Sequence, residues 1–278
     1  MIADLWSKAR QSLLFLSMVI IGLVFAFPLV WIAMSSFKTR VQNFALPPLV
    51  IFQPTLENYT GLFQLQNPAF MADYRNSFVI AVGSTVISLV MGCLTAYGFS
   101  RHEIKMGGCL FGWILSLRFF PVVAMVIPIY VLFRGLKLLD NHAALIAVYC
   151  IFNISFTIWF LKGFFDEIPK SLEEAARLDG YSPFQVFYRV CLPLVRPGII
   201  TAAIFCLIQS INEFLLAMSL TARVAETAPV ALAKLQTAVG PDWGKMCAVS
   251  SLLIVPILIF TILVRNQLIR GMSFGKLK

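Results

Sequence analysis

Gln209, Asn212 and Glu213 recur at i, i+3 and i+4 inside an apolar run, a spacing that lines two amides and a carboxylate along one stripe of a helix. A carboxylate near the centre of a bilayer costs about 2.5 kcal/mol or more on insertion scales, so Glu213 must face a cavity, a partner or the interior of a bundle. Such a stripe can exchange hydrogen bonds with the hydroxyls of a polar solute. It can equally tie spans together through interhelical bonds worth about 0.6 kcal/mol each. Asn153 and Pro128, in two other apolar runs, carry the same double reading: solute path or interhelical bond for the amide, hinge or tolerated kink for the proline. Arg118 can snorkel to the surface, pair with Glu213 or belong to a partner interface.

The other concentration of polar residues has a different character. Asp166, Glu167, Glu173, Glu174 and Asp179 are five of the chain's thirteen acids and fall within fourteen residues. Ser171 and Glu174 have the spacing of a capping box, so a short helix is expected from about Leu172, with Leu172, Ala175, Ala176 and Asp179 on one face. Gly180 suits the left-handed residue that ends a helix. Ser182, Pro183 and Gln185 repeat the start signal, and Pro193 is expected to stop the second helix. The stretch reads as a polar helix-turn-helix between apolar neighbours.

These elements sit in a chain that is 59% hydrophobic and 13% charged, outside the range of ordinary soluble domains. We read it as one all-α integral membrane domain over residues 1–278. Spans are expected at about 13–34, 76–99, 110–133, 143–161, 198–220 and 246–264, with an external loop at 35–75 and the polar hairpin at 164–197. The first run is too long for a signal-peptide core and reads as a retained anchor. With the amino terminus inside, inner segments hold thirteen Lys and Arg and outer ones eight, which places both termini and the hairpin in the cytoplasm.

Several functions are excluded or unsupported. The net charge of +9 is scattered over loop ends, so no nucleic-acid partner is indicated. The six cysteines form no C-x-x-C pair and the two histidines lie far apart, which suggests no metal site. Without a phosphate-binding G-x-x-x-x-G-K-[ST] loop or a nucleophile–base constellation, the chain reads as no enzyme.

The hairpin sequence Glu174-Ala175-Ala176, Gly180, Val190, Leu192-Pro193 resembles the loop signature of permease subunits in bacterial ABC importers, with Val190 where isoleucine is commoner. Pro28-Leu29-Val30-Trp31, Asn58-Tyr59, Asn76-Ser77, Ala96-Tyr97-Gly98, Asn212-Glu213-Phe214 and Asp242-Trp243-Gly244 further resemble the second membrane subunit of maltose-type carbohydrate importers. The resemblance implies a six-span permease in the bacterial cytoplasmic membrane whose coupling helix meets a two-copy cytoplasmic ATPase. On that footing Glu174, Ala175, Ala176, Leu178, Asp179, Gly180, Val190, Leu192 and Pro193 serve coupling, and Gly271, Gly275 and Lys276 in the tail reach toward the ATPase. It also implies a homologous second permease subunit and a periplasmic or extracellular solute-binding protein. No cofactor is expected on this chain, since ATP and Mg belong to the ATPase. The rival readings are the same machine carrying a glycerol phosphodiester or a polyamine, and a stand-alone secondary transporter; for the latter the spans offer only Glu213 as a relay acid.

Overall fold

The structure, a computed structural model, describes residues 2–63, 69–237 and 240–266. Apolar surroundings leave each backbone N–H and C=O to be satisfied within its own segment, which makes helix the default. The helices are α1 (Ile2–Ser36), α2 (Arg40–Asn43), α3 (Glu57–Phe63), α4 (Ala69–Arg101), α5 (Gly107–Phe119), α6 (Val122–Gly135) and α7 (His142–Asp166). There follow α8 (Lys170–Leu178), α9 (Pro183–Val186), a π-helical turn (Phe187–Cys191), α10 (Leu192–Leu194), α11 (Arg196–Ile211), α12 (Leu215–Leu220), α13 (Ala228–Ala233) and α14 (Trp243–Leu263). Among the described residues one two-residue antiparallel pair, β1 (Gln236–Thr237) with β2 (Gly240–Pro241), departs from the all-α reading.

Among the described residues four helices are long and apolar enough to cross a membrane, and the number rises to six if each of two bent pairs is one span. The expected third span, 110–133, is one of those pairs: α5 and α6 meet at 95°. Pro121 explains the bend, because its ring excludes helical geometry from Phe120, whose ψ is 131°. Pro128, by contrast, lies inside α6 without ending it. The expected fifth span, 198–220, is likewise interrupted, since α11 ends at Ile211 and α12 begins at Leu215. α4 starts at Ala69, seven residues before the expected second span, and the expected external loop contains α2 and α3.

The chain divides into two compact units. The first comprises Met1–Pro68 and Lys234–Ile254. There Asn58 Nδ2 donates to the carbonyls of Ser36 and Lys38, both at 2.8 Å, and Tyr59 Oη lies 2.7 Å from Ser36 Oγ. A side chain at Gly244 would overlap the Asn58 amide, so the glycine is what admits that contact. Lys38 is 2% exposed, and its ammonium rests 4.4 Å from the Trp31 ring centroid, a cation–π seat in place of water. Asp242 starts α14 by accepting from the Lys245 amide.

The second unit comprises Ala69–Ala233 and Val255–Lys278, and α7 is its most buried span. α4 packs tightly on α7 at Gly92, where a Cβ would come within 2.6 Å of the Thr157 side chain. Asn153 Nδ2 donates to Ser210 Oγ at 2.8 Å, and Ser210 Oγ lies 3.0 Å from Ser84 Oγ, so one buried polar chain joins α7, α11 and α4. At another point Asp140, with φ +56°, accepts from the successive amides of Ala222, Arg223, Val224 and Ala225 at 3.0–3.2 Å. Burial pushes the Asp140 carboxyl up, but those four amides outweigh it and hold it below the ordinary range. Asn76 grips the same loop by donating to the carbonyls of Val224 and Glu226, both at 2.9 Å.

Candidate functional site

The hairpin begins two residues earlier than its sequence suggests. Pro169 precedes the first helical residue, Lys170, and no side chain caps it; Ser171 and Glu174 therefore lie within α8 and form no capping box. Proline's fixed φ at the entry makes the side-chain cap dispensable. Glu174 is exposed as a result, as are Ala175 and Asp179. The expected common face also fails, because Ala176 is buried together with Glu173 while Leu172 is 46% exposed.

The turn itself forms as the sequence predicts. Gly180 adopts φ +89°, the Tyr181 amide donates to the Ala176 carbonyl at 3.1 Å, and the Gly180 amide donates to that of Arg177 at 3.0 Å. This paired closure needs a left-handed residue, which costs any other side chain about 1–2 kcal/mol. Ser182 then caps α9 reciprocally with Gln185, with Pro183 at the first turn. Pro193 does not stop the second helix. Lacking an N–H for the carbonyl four residues back, it is accommodated by the π-helical turn, and the chain bends by 73° only where α10 gives way to α11 at Val195.

The inner face of the hairpin is fixed by Glu173, which the sequence reading passed over. Tyr97 Oη donates to Glu173 Oε2 at 3.0 Å, and Arg101 Nε donates to Oε1. The Arg101 and Glu173 side chains are only 7% and 5% exposed. Burial pushes the Glu173 carboxyl up, but the Arg101, Cys191 and Tyr97 hydrogen bonds together hold it below its ordinary value. Removing one partner of such a buried pair costs about 3–5 kcal/mol. Beneath it Ala176, Val186, Phe187, Cys191 and Val195 join Phe164 and Phe165 in a common core, with Val190 and Leu192 packed at its margin. Arg101 follows an apolar run and reads as a membrane-border charge; its one signal in the sequence is the acid-rich segment that could receive it.

The outer face is unlike the inner one. Leu178 is 89%, Phe184 71% and Tyr188 61% exposed, interspersed with exposed Glu174, Arg177 and Asp179. Exposed apolar side chains interspersed with charged ones on a polar hairpin are a composition that suits a contact surface.

The polar stripe of Gln209, Asn212 and Glu213 does not form as a continuous helical face. α11 ends at Ile211, and the Glu213 carboxylate turns forward to accept from the Leu216 amide at 3.1 Å, starting α12. Gln209, Glu213 and Asn153 nevertheless meet, with Tyr149 and Ser210, around a narrow crevice of about 260 Å³ including its open mouth. Asn212 and Pro128 are outside this lining and are exposed. The Arg118 guanidinium lies 5.1 Å from the Phe156 ring centroid, so its close neighbour is an aromatic ring. Gly271, Gly275 and Lys276 lie outside the described residues.

Comparison with known proteins gives a consistent result. Residues 88–270 match the family described as "Binding-protein-dependent transport system inner membrane component". The chain is 35% identical over 273 residues to the probable ABC transporter permease protein y4oR of Sinorhizobium fredii, covering 98% of each chain. It is also 35% identical to the trehalose transport system permease protein SugB of Mycobacterium tuberculosis, over 90% of this chain and 92% of the relative. Its fold is similar to a chain of a bacterial ABC transporter involved in the import of the acidic polysaccharide alginate, with TM-score 0.75 and 23% identity over 93% and 96% of the two chains.

Proposed function

We propose, from a chain that belongs to the binding-protein-dependent transport system inner membrane component family, a permease subunit of an ATP-driven ABC importer for carbohydrate. It contributes half of a translocation pathway, with a homologous permease supplying the other half. A solute-binding protein delivers the sugar from outside, and a two-copy ATPase that carries ATP and Mg drives the cycle from the cytoplasm. The chain spans the inner membrane several times, with both termini cytoplasmic by its charge bias.

The observation that carries this reading is the hairpin: a double helix closed at Gly180, riveted inward by Glu173 and presenting Leu178, Phe184 and Tyr188 outward. A rigid element with an uncovered apolar face suits docking on a moving partner. ATP binding closes the ATPase pair, the docked hairpin follows, and the spans exchange inward-open for outward-open packing. Glu174, Ala175, Leu178 and Asp179 lie on the exposed side and are assigned to the ATPase contact. The crevice of Asn153, Gln209 and Glu213 is assigned to the sugar path, where amide and carboxylate groups can trade hydrogen bonds with hydroxyls. Trehalose is named for the SugB relative and, with maltose, for a permease of Thermococcus litoralis, which makes trehalose the first probe.

The test is retention of the ATPase. Leu178→Glu changes only an exposed side chain, so the variant is expected in the membrane at wild-type abundance while losing most of the ATPase that co-purifies with the wild type. Equal retention by the variant would overturn the docking assignment.

A further inference from the structure

Three residues in the last two turns of α4 reach the elements that lead into and form the hairpin. Ser100 Oγ donates to Asp166 Oδ1 at 2.6 Å, at the end of α7, and Lys162 Nζ donates to Asp166 Oδ2 at 2.6 Å. Arg101 Nη2 donates to the Ile168 carbonyl at 2.9 Å, Nη1 to Ser100 Oγ at 2.9 Å, and Nε to Glu173. Tyr97 Oη takes the second Glu173 oxygen. Among the described residues, Glu173 is where side chains of α8 and α4 are joined by polar bonds, whereas the neighbouring Glu174 faces outward.

We propose that Glu173, seated on Arg101 and Tyr97, is a positioning residue that makes α8 and the end of α4 move as one body, so that displacement of the hairpin reaches the spans. The inference deepens the docking assignment above and rests on it. Its physical basis is directionality. The apolar contact of Ala176 is non-directional and lets one element slide on another, while charge-assisted bonds between buried groups fix position and angle. A buried network with its members satisfied rigidifies what it joins. From its far end the motion has a route onward: α4 carries Gly92 against Thr157 of α7 and Ser84 against Ser210, whose hydroxyl accepts from Asn153 at the crevice. Glu173 thus lies between the exposed face and the candidate path, touching neither partner nor solute.

The experiment uses the assembled importer, purified with its ATPase and binding protein and placed in proteoliposomes, with trehalose as the probe. Uptake and phosphate release are measured on the same sample and expressed as solute moved per ATP. The double variant Arg101→Gln with Glu173→Gln removes both charges and leaves no unpaired ion. It should keep the ATPase bound while solute per ATP falls about five-fold or more. Tyr97→Phe, which removes one bond and no charge, should give a smaller fall in the same ratio. A ratio within about two-fold of wild type in both variants overturns the proposal. So does a loss of uptake in both that follows lost assembly alone, because the pair is then merely structural. A wild-type chain that retains no ATPase sinks the docking assignment as well, and that control separates the two failures.

Discussion

Glu173 and Glu174 are chemically identical neighbours with opposite fates, decided by which side of α8 meets Arg101. Helical spacing alone could not choose between them, because the expected capping box assigned Glu174 a job that the proline entry had made unnecessary. The pair also predicts a pH dependence. Glu173's folded carboxyl is held below its ordinary value, so its stabilisation is fully present above the unfolded value, about 4.3, and is lost as pH falls through the folded value. Thermal melting of the detergent-solubilised protein should therefore show a drop in stability below about pH 4.3 that is steeper in the wild type than in the Arg101→Gln, Glu173→Gln double variant. Parallel curves would show that the carboxylate adds nothing there. At Glu213, replacement by Gln keeps an oxygen for the Leu216 amide, so trehalose uptake should fall more than membrane abundance. If abundance collapses in step with uptake, the residue holds α12 in place and does not serve the path.

At the scale of elements, the sequence was most legible where one residue type has one physical use. Gly180 and the Ser182–Pro183–Gln185 start are such cases, since left-handed closure and a reciprocal cap admit few alternatives. Span interiors were harder to read. The stripe at 209, 212 and 213 presumed an unbroken helix, but polar side chains there can satisfy backbone groups themselves, and Glu213 does so. Prolines were equally ambiguous: Pro121 bends the chain, Pro128 sits within a helix, and Pro193 widens one into a π-turn. Asp140, unremarked in the sequence, anchors the 222–225 loop through four amides. Asp140→Ala should cost about 1–3 kcal/mol by leaving those donors unmet, and a melting curve of the purified protein will read it as a lowered Tm. An unchanged Tm would mean that water replaces the carboxylate without loss.

Across the whole molecule, composition alone announced a membrane chain, because no soluble core requires so much apolar sequence. The number of crossings was less legible, since the expected span 110–133 is a bent pair and the expected span 198–220 is interrupted after Ile211. Within Arg10–Ser36 of α1 the most apolar eighteen-residue stretch holds no buried residue, while 67% of the corresponding stretch of His142–Asp166 is buried. A helix so uncovered needs lipid or another subunit around it, which agrees with the proposed pairing with a second permease. In the function proposed above, the hairpin takes up the drive, the crevice is the candidate path, and Glu173 joins them. The most direct measurement is trehalose uptake into proteoliposomes that hold this chain with its co-purified partners. The account predicts uptake that requires ATP and the binding protein and stops with vanadate. Uptake by this chain alone, driven by an ion gradient without ATP, would contradict it.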